Sequence, residues 1–355
     1  MRIAQVAPLF ERVPPVTYGG TERVVAYLTD ALVELGHDVT LFASGDSQSR
    51  ARLVPAAPRS LRLDTTCRDT MAPQIRELEL VSRTAHRFDV IHFHTGFLHL
   101  PLARHLATPS VTTMHGRLDF DELAPLMGDF ADAPFVSISN HQRRPYPDQH
   151  WCATVYHGLP PRLLPFRPTP DRYVAFVGRI SPEKRLDRAI EIARRAGLEL
   201  RIAAKIDAAD KEYFEREIAP LMDQPHLRYL GEIGEDDKAD LLGGALALLF
   251  PIDWPEPFGL VMIEAMAAGT PVIAWPCGST AEVVEHGRSG FIVDSVEEAV
   301  AAVEAAARMP REGVRAAFEA RFTARRMALD YMRLYEGLTG IERTALFGKT
   351  MVVAN

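Results

Sequence analysis

The segment "LPPRLLPFRPTPDR" (159–172) divides this sequence into two halves. It carries five prolines, which lack a backbone N–H donor and cannot continue the interior of a helix. We therefore interpret it as a linker. The whole chain has 355 residues, which is too long for one ordinary core and fits two domains of roughly 150 to 200 residues.

On both sides of the linker, short apolar runs alternate with longer helical patterns. Strands are predicted before the linker at 2–7, 38–43, 89–94, 110–115, 134–139 and 153–157, and after it at 173–178, 198–204, 226–231, 246–251 and 271–275. The first helix is predicted over 21–36, where apolar residues recur at helical spacing and Gly36 provides a stop. Further helices are predicted from about residues 183, 208 and 235, and over 258–268 and 324–338.

This alternation of strands and helices predicts parallel sheets with helices on both faces. The expected fold class is α/β, with two Rossmann-like doubly wound domains that face each other across a cleft. We place the domains at 1–165 and 166–325, followed by a C-terminal helical segment, 326–355, that packs back towards the N-terminal domain. Ligands of such sheets bind at the carboxyl ends of the strands.

Composition restricts the class of protein. Hydrophobic residues make up 47% and charged residues 25%, and the net charge of −7 gives no global support to a nucleic-acid or anionic-membrane partner. The three cysteines, Cys67, Cys152 and Cys277, form no CxxC pair, which argues against disulfides and zinc knuckles. The sequence shows neither a signal peptide nor an apolar run near the ~20 residues of a membrane span, so we expect a cytoplasmic protein.

Common catalytic motifs are missing. Without a GxxxxGK[ST] loop, or a GxGxxG after the first strand, a kinase, an NTPase and an ordinary dinucleotide dehydrogenase are disfavoured. Six histidines fall between 86 and 115, but no cysteine or HExxH pattern accompanies them. The acidic pair Asp119 and Asp121 follows no buried strand and is predicted to open a helix, so we expect no metal site.

The stretch "DWPEPFGLVMIEAMAAGTPVIAW" (253–275) combines a buried helix and strand with two carboxylates. Burying an unpaired carboxylate is costly, so Glu256 and Glu264 require an explanation. Pro257 fits the first turn of a helix and makes Glu256 extended, which leaves the amides of "FGL" (258–260) free at the positive helix end. That arrangement is typical of a site for phosphate or polyol oxygens, and a ribose diol suits Glu264.

Three shorter motifs complete the pattern. In "GRISPEKR" (178–185), Arg179 and Lys184 can converge on a diphosphate. In "YGGTER" (18–23), two glycines precede a helix and offer backbone amides. In "TMHG" (113–116), His115 ends a strand at the edge of the cleft, where a neutral imidazole can bind a hydroxyl. Each motif taken singly also has a plainer interpretation. The first can be basic residues at the start of a helix, the second a tight turn, and the third a histidine of the core.

Together these residues resemble the family-four retaining glycosyltransferases of the GT-B fold over nearly the whole chain. The resemblance implies that Arg179 and Lys184 bind the donor diphosphate, that Glu264 binds the nucleotide ribose, and that Glu256 binds the donor sugar. In the family pattern the remaining donor-binding positions correspond to Gly19, Gly20, Ile233, Phe258, Gly259 and Leu260, and His115 faces the sugar. The one departure noted is "YHGL" (156–159), where His157 stands in place of a common asparagine.

A finer resemblance rests on "AAKIDAADKEYF" (203–214) and "LFPIDWPEPFGLVMIEAMAAGTPVIA" (249–274). It points to a bacterial subgroup that includes UDP-glucose:tetrahydrobiopterin glucosyltransferases. The resemblance implies an N-terminal acceptor domain, a C-terminal donor domain and hexose transfer from a nucleotide diphosphate sugar, such as UDP-glucose, to an acceptor hydroxyl. Anomeric configuration would be retained, with Glu256, His115, Arg179 and Lys184 as the catalytic set.

No cofactor and no metal are expected beyond the nucleotide sugar itself, since two cations can serve the diphosphate. The acceptor is left open among small molecules, glycans and lipids. A sugar-nucleotide epimerase, a phosphorylase and a non-catalytic sugar-nucleotide sensor stay as alternatives. So does a membrane-associated lipid glycosyltransferase, although "NHQRRP" (140–145) offers only two arginines to an anionic surface.

Overall fold

The computed structural model describes residues 1–16, 19–62 and 64–340. Its strands are β1 (Arg2–Val6), β2 (Asp38–Ser44), β3 (Arg52–Ala57), β4 (Val90–Phe93), β5 (Ser110–Thr113), β6 (Phe135–Ser137), β7 (Trp151–Thr154), β8 (Tyr173–Arg179), β9 (Glu199–Lys205), β10 (Leu227–Gly231), β11 (Ala247–Phe250), β12 (Val272–Ala274) and β13 (Gly290–Ile292). Its helices are α1 (Gly20–Glu34), α2 (Met71–Thr84), α3 (Leu100–Ala103), α4 (Leu123–Asp129), α5 (Leu186–Ala196), α6 (Lys211–Tyr213), α7 (Glu235–Gly244), α8 (Leu260–Ala268), α9 (Thr280–Val283), α10 (Val296–Ala306), α11 (Arg311–Arg321) and α12 (Ala324–Thr339).

The strands form two separate parallel sheets. The first has the order β3-β2-β1-β4-β5-β6-β7 and the second the order β10-β9-β8-β11-β12-β13. In both sheets the first strand of that half lies centrally and the strand order reverses beside it, which is the doubly wound arrangement. The predicted α/β class with two Rossmann-like sheets is confirmed.

Two short strands escaped the sequence analysis. The strand β3 contains Pro55, which argues against a strand in the middle of a sheet. It lies at the edge of the first sheet, where a missing N–H donor leaves no ladder bond unmade. The three-residue strand β13 forms the edge of the second sheet.

Two predicted helices are less regular than expected. The helix expected from about 208 is a series of short turns with a π-helical segment at Phe214–Ile218, and Pro220 follows within the last turn. The helix expected from about 183 is a 3₁₀ turn, Pro182–Lys184, followed by α5. Arg185 separates them in a left-handed conformation with φ 54°, held by hydrogen bonds to Asp187 and Asp253.

The C-terminal helix α12 lies against the first sheet. The Tyr335 hydroxyl accepts a hydrogen bond of 3.1 Å from the Gln5 amide and contacts His92 at 2.7 Å. The Tyr331 hydroxyl lies 2.8 Å from that of Thr113. The domain boundaries placed at 165 and 325 stay predictions, and residues 341–355 of the predicted C-terminal segment lie outside the described residues.

The interior of the molecule is mainly apolar on both faces of each sheet, as is usual for parallel sheets, and the first sheet also buries polar side chains that include Gln5, His92 and Thr113. Within the described ranges, no helix is both long and apolar enough to cross a bilayer.

Candidate active site

A cavity of about 640 Å³ lies between the two halves, at the carboxyl ends of their strands. Its walls come from the start of α1 on one side and from the ends of β8 and β9, the β10–α7 loop and the start of α8 on the other. The structure brings every site residue named from the sequence to this one cavity: Gly19, Gly20, His115, Arg179, Lys184, Ile233, Glu256, Phe258, Gly259, Leu260 and Glu264. The volume is within the usual range for small-molecule sites.

Two helix N-termini meet at the cavity from opposite halves. A Cβ atom added at Gly20, the first residue of α1, would lie 3.7 Å from Cδ1 of Leu260, the first residue of α8. The first amides of a helix have no intrahelical acceptor and carry the positive end of its dipole. The positive ends of both helices therefore favour an anionic ligand in the cleft.

The segment before α8 differs in detail from the sequence prediction. Pro257 was expected in the first helical turn, but the helix begins at Leu260 and Pro257 precedes it. The reason is Gly259, which caps the helix in a left-handed conformation with φ 77°. Its carbonyl accepts a 3.0 Å hydrogen bond from the amide of Met262 in the first turn, and its left-handed backbone keeps the helix from extending further towards Glu256.

Two residues of the predicted set, Glu256 and Lys184, form an ion pair with each other. Lys184 Nζ donates to Glu256 Oε2 at 2.5 Å, and Trp254 Nε1 donates to the same oxygen at 3.0 Å. The ammonium also lies 4.5 Å from the centre of the Trp254 ring. Both charged side chains are mostly buried, at 16% exposed for Lys184 and 12% for Glu256. A ligand that binds both groups must exchange this ion pair for its own contacts.

Arg179 lies at the cavity wall among carboxylates. It donates to Glu183 at 2.6 Å, and its guanidinium is 3.4 Å from Asp210 and 3.7 Å from Asp207. Lys205 holds Asp207 in turn, at 2.7 Å. The Arg179 side chain is one-third exposed and lines the cavity. The neighbouring carboxylates therefore orient Arg179 at the cavity wall.

The second carboxylate also has a cationic partner, which sequence reasoning missed. Lys238 Nζ, on α7, donates to Glu264 Oε1 at 2.5 Å, and the Glu264 side chain is only 5% exposed. Lys238 follows three acidic residues at the start of α7, so its sequence context is that of a solvated helix end. Only the packing of α7 beside α8 identifies it as a site residue.

A second pair was missed on the N-terminal side of the cavity. Arg23, one turn into α1, forms an ion pair with Glu235 at the start of α7, and the Tyr27 hydroxyl donates to the same Glu235 oxygen at 3.0 Å. Arg23 belongs to the quoted "YGGTER" motif, yet nothing in the motif assigns it a partner in the other half of the chain. These contacts connect the two halves directly beside the cavity.

His115 reaches the cavity at the end of a buried hydrogen-bond chain. The His94 ring lies between Gln5 Oε1 and His115 Nε2, with both distances 2.8 Å. Burial lowers the pKa of His94 well below its usual value and lowers the pKa of His115 to about 3, so both rings are neutral. With the Gln5 carbonyl as acceptor, His94 donates through Nε2 and accepts through Nδ1. His115 then donates through Nε2 and offers Nδ1 as an acceptor.

The Nδ1 atom of His115 is buried, and no partner for it occurs among the described residues. His157, the departure from the family pattern, stacks on His115 with ring centres 5.3 Å apart and also lines the cavity. Burial lowers the pKa of His157 well below the usual value, so it too is neutral. Two uncharged imidazoles, those of His115 and His157, therefore line the cavity and suit a hydroxyl ligand.

Residues considered for a metal have other partners. Asp119 forms an ion pair with Arg117 at 2.6 Å, and His92 and His94 serve the buried hydrogen-bond chain. The helix expected to open at Asp119 begins later, at Leu123. No group of three or more His, Cys, Asp or Glu side chains able to hold a metal ion occurs in the described ranges.

Two protein-family models match separate halves of the chain. The profile "Glycosyltransferase Family 4" matches residues 18–147, and "Glycosyl transferases group 1" matches residues 165–321. The chain is 25% identical to a D-inositol 3-phosphate glycosyltransferase of Streptomyces avermitilis over 79% of this chain and 73% of that one. It is 24% identical to a phosphatidyl-myo-inositol mannosyltransferase of Mycolicibacterium smegmatis over 96% of this chain and 95% of that one.

Solved structures share the fold. AviGT4, a glycosyltransferase involved in avilamycin A biosynthesis, superposes with a TM-score of 0.72 at 24% identity, covering 96% of this chain and 98% of that one. Anabaena HepE in complex with UDP and glucose superposes with a TM-score of 0.74 at 17% identity, covering 95% and 100%. The chain therefore has the GT-B fold, and its N-terminal and C-terminal halves match the family-four and group-one glycosyltransferase models respectively.

Proposed function

We propose that this glycosyltransferase moves a hexose from a nucleotide diphosphate sugar, UDP-glucose or a close analogue, to an acceptor hydroxyl with retention at the anomeric carbon. The observation that carries the proposal is the convergence of Arg179, Lys184, Glu256 and Glu264 on one cavity between the two sheets. Solved structures of one protein of this fold, Anabaena HepE, hold UDP and UDP-glucose. Membership of the subgroup that includes UDP-glucose:tetrahydrobiopterin glucosyltransferases is part of the same proposal.

The donor would lie across the second sheet with its polar groups distributed along the cavity. Glu264 would accept from the ribose hydroxyls, and the backbone near Ile233 would meet the base. Arg179, Lys184 and the amides at the starts of α1 and α8 would surround the diphosphate. Glu256 and His115 would bind hydroxyls of the sugar.

The chemistry follows from where charge develops. As the bond from the anomeric carbon to the diphosphate oxygen breaks, negative charge grows on the leaving group and the sugar becomes oxocarbenium-like. The acceptor hydroxyl oxygen forms the new bond on the same face, and its proton passes to the departing diphosphate. Lys184, Arg179 and the helix amides stabilise that charge in a site already organised before reaction. We propose that these cations remove the need for a divalent metal.

A thermal-shift panel of UDP-, GDP-, ADP- and TDP-sugars, run with EDTA present, tests the proposal. Binding to the folded state stabilises it by mass action, so a UDP-sugar should raise the melting temperature most, by an amount equivalent to about 2.7 kcal/mol at 100 times its Kd. Hexose transfer should proceed equally in EDTA. A loss of activity that added Mg²⁺ or Mn²⁺ restores would contradict metal independence, and no shift with any sugar nucleotide would contradict the function.

Glu264→Ala should weaken the binding of both UDP and the sugar nucleotide. A hydrogen bond to a charged group contributes about 1.5–3 kcal/mol, so the Kd for UDP should rise roughly 10- to 100-fold. Calorimetric titration with UDP measures this, and the exposed Glu304→Ala serves as the matched control. An unchanged Kd for UDP in a folded Glu264→Ala protein would show that Glu264 does not bind the ribose.

A further inference from the structure

A second cavity, of about 280 Å³, opens beside the first and lies within the N-terminal half. It is formed by the loop after β1, by α2 and by the segments that follow β4 and β5. The two cavities share wall residues Pro8, Phe10, Thr21 and His115. A molecule in the second cavity would therefore lie next to the first cavity, at the wall that contains His115.

The second cavity has mainly apolar walls. Leu9, Phe97, Leu98 and Met114 contribute hydrophobic side chains. Its charged and titratable lining groups other than Glu77 are few: His94 and His115, which are neutral, and Arg117, which is paired with Asp119. A wall of this kind favours a compact organic molecule over a string of sugar units.

Glu77 is the exception in this wall. It lies on α2, is only 2% exposed and lines the second cavity. Its Oε1 atom is buried without a hydrogen-bond partner, and no ion pair reaches the carboxyl group from the residues that the structure describes. Burial raises the pKa of Glu77 well above its usual value, which favours the neutral acid.

An unpartnered buried carboxyl group costs stability, and native proteins seldom keep one without a use. The neighbouring Glu79, on the exposed face of the same helix, pairs with Arg83 at 2.5 Å. Glu77 instead faces a cavity where a ligand can satisfy it. A protonated carboxyl group offers one O–H donor and a carbonyl acceptor side by side.

On the basis of the proposed function, we propose that this second cavity is the acceptor pocket, and that it takes a small alcohol with an apolar body and a polar group that hydrogen-bonds to Glu77. The hydroxyl of this alcohol would extend past the His115 side chain into the donor site. There its oxygen bonds to the anomeric carbon, the bond from that carbon to the diphosphate breaks, and the hydroxyl proton leaves with the diphosphate. The volume of about 280 Å³ suits a small molecule that fits entirely inside the cavity.

Stability provides a test that needs no acceptor. Glu77→Leu removes an unpartnered polar group, so the melting temperature of the ligand-free protein should rise by about 2 °C or more. The gain should be larger at about pH 8 than at about pH 5. Burial raises the pKa of Glu77 in the folded protein, so the cost of Glu77 to folding grows as the pH rises above the pKa of the same group in the unfolded chain. Glu79→Leu, on the exposed side of α2, is the control and should show no such gain. A lower melting temperature for Glu77→Leu would mean that Glu77 serves the fold, and would overturn the proposal.

The acceptor itself is tested by incubating the protein with the sugar nucleotide chosen in the thermal-shift panel and separate small-molecule, lipid and polysaccharide fractions of a cell extract. Mass spectrometry should find the added hexose in the small-molecule fraction. Glu77→Leu should reduce that transfer roughly 10- to 100-fold, whereas Glu77→Gln, which keeps a donor and an acceptor, should stay within about fivefold of the native protein.

The outcomes separate this inference from the function on which it depends. Product only in the lipid or polysaccharide fraction, or in none of the fractions while UDP is still released from the donor, would overturn the acceptor pocket and leave the donor site standing. Equal rates of hexose transfer by Glu77→Leu and by the native protein would also overturn the acceptor pocket. Loss of sugar-nucleotide binding in native protein would instead contradict the proposed function. The affinity of Glu77→Leu for UDP should be unchanged.

Discussion

Lys184→Ala is expected to lower kcat/KM for the nucleotide sugar by roughly 100- to 1000-fold, the usual effect of losing one preorganised charge-stabilising donor. Lys184 is the cation nearest the proposed sugar-binding carboxylate, with Nζ 2.5 Å from Glu256. Its ammonium is held over Trp254 at 4.5 Å, so it is oriented before the donor arrives. Steady-state transfer and donor hydrolysis in water both measure the effect.

The matched control is Lys211→Ala, a lysine on the surface with its side chain 71% exposed. It should leave kcat/KM within about twofold, because exposed ion pairs contribute little. Arg179→Ala should resemble Lys184→Ala, whereas the exposed Arg325→Ala should resemble the control. Activity retained by Lys184→Ala would show that the diphosphate lies elsewhere.

Glu256→Ala is expected to reduce turnover by about 100-fold or more while UDP binds as tightly as before, or more tightly. The carboxylate would bind hydroxyls of the sugar, which UDP lacks. In the ligand-free protein Glu256 also forms an ion pair with Lys184, so the substitution frees the Lys184 ammonium for the diphosphate. Calorimetry with UDP and steady-state kinetics with the sugar nucleotide separate the two effects.

Because Lys184 and Glu256 touch, their substitutions should not be additive. The double variant should lose less than the two single losses combined, and the difference measures their coupling. Glu304→Ala, an exposed glutamate on α10, is the matched control for Glu256→Ala. A large loss of UDP affinity in Glu256→Ala would contradict the sugar assignment.

The sequence was sufficient for the fold because the decisive signals are local. Five prolines in 159–172 predict a linker, and alternation of short apolar runs with helical patterns on both sides predicts doubly wound sheets. The strands that it missed, β3 and β13, are edge strands, where short length and Pro55 are tolerated. The helix start at Leu260 depends on one left-handed glycine, which the pattern of residues did not reveal.

The sequence also predicted which motifs belong to the site. Gly20, Arg179 and Glu256 each stand at or just after the carboxyl end of a strand or at the start of a helix, and in doubly wound sheets those ends converge. Their distance along the chain was therefore no obstacle to predicting that they share one cavity. Their roles stay predictions until the substitutions above are measured.

Only the tertiary structure decided which charge meets which. Lys238 reaches Glu264 because α7 packs beside α8, and Arg23 meets Glu235 across the two halves. Likewise, the sequence of α2 looks like that of any half-exposed surface helix. It did not predict that the Glu77 carboxyl group is buried without a partner among the described residues. The fold of this protein follows from periodicity and prolines, which act over a few residues. The pairing of its buried charges depends on contacts between residues far apart in the chain, and those exist only once the sheets and helices have packed.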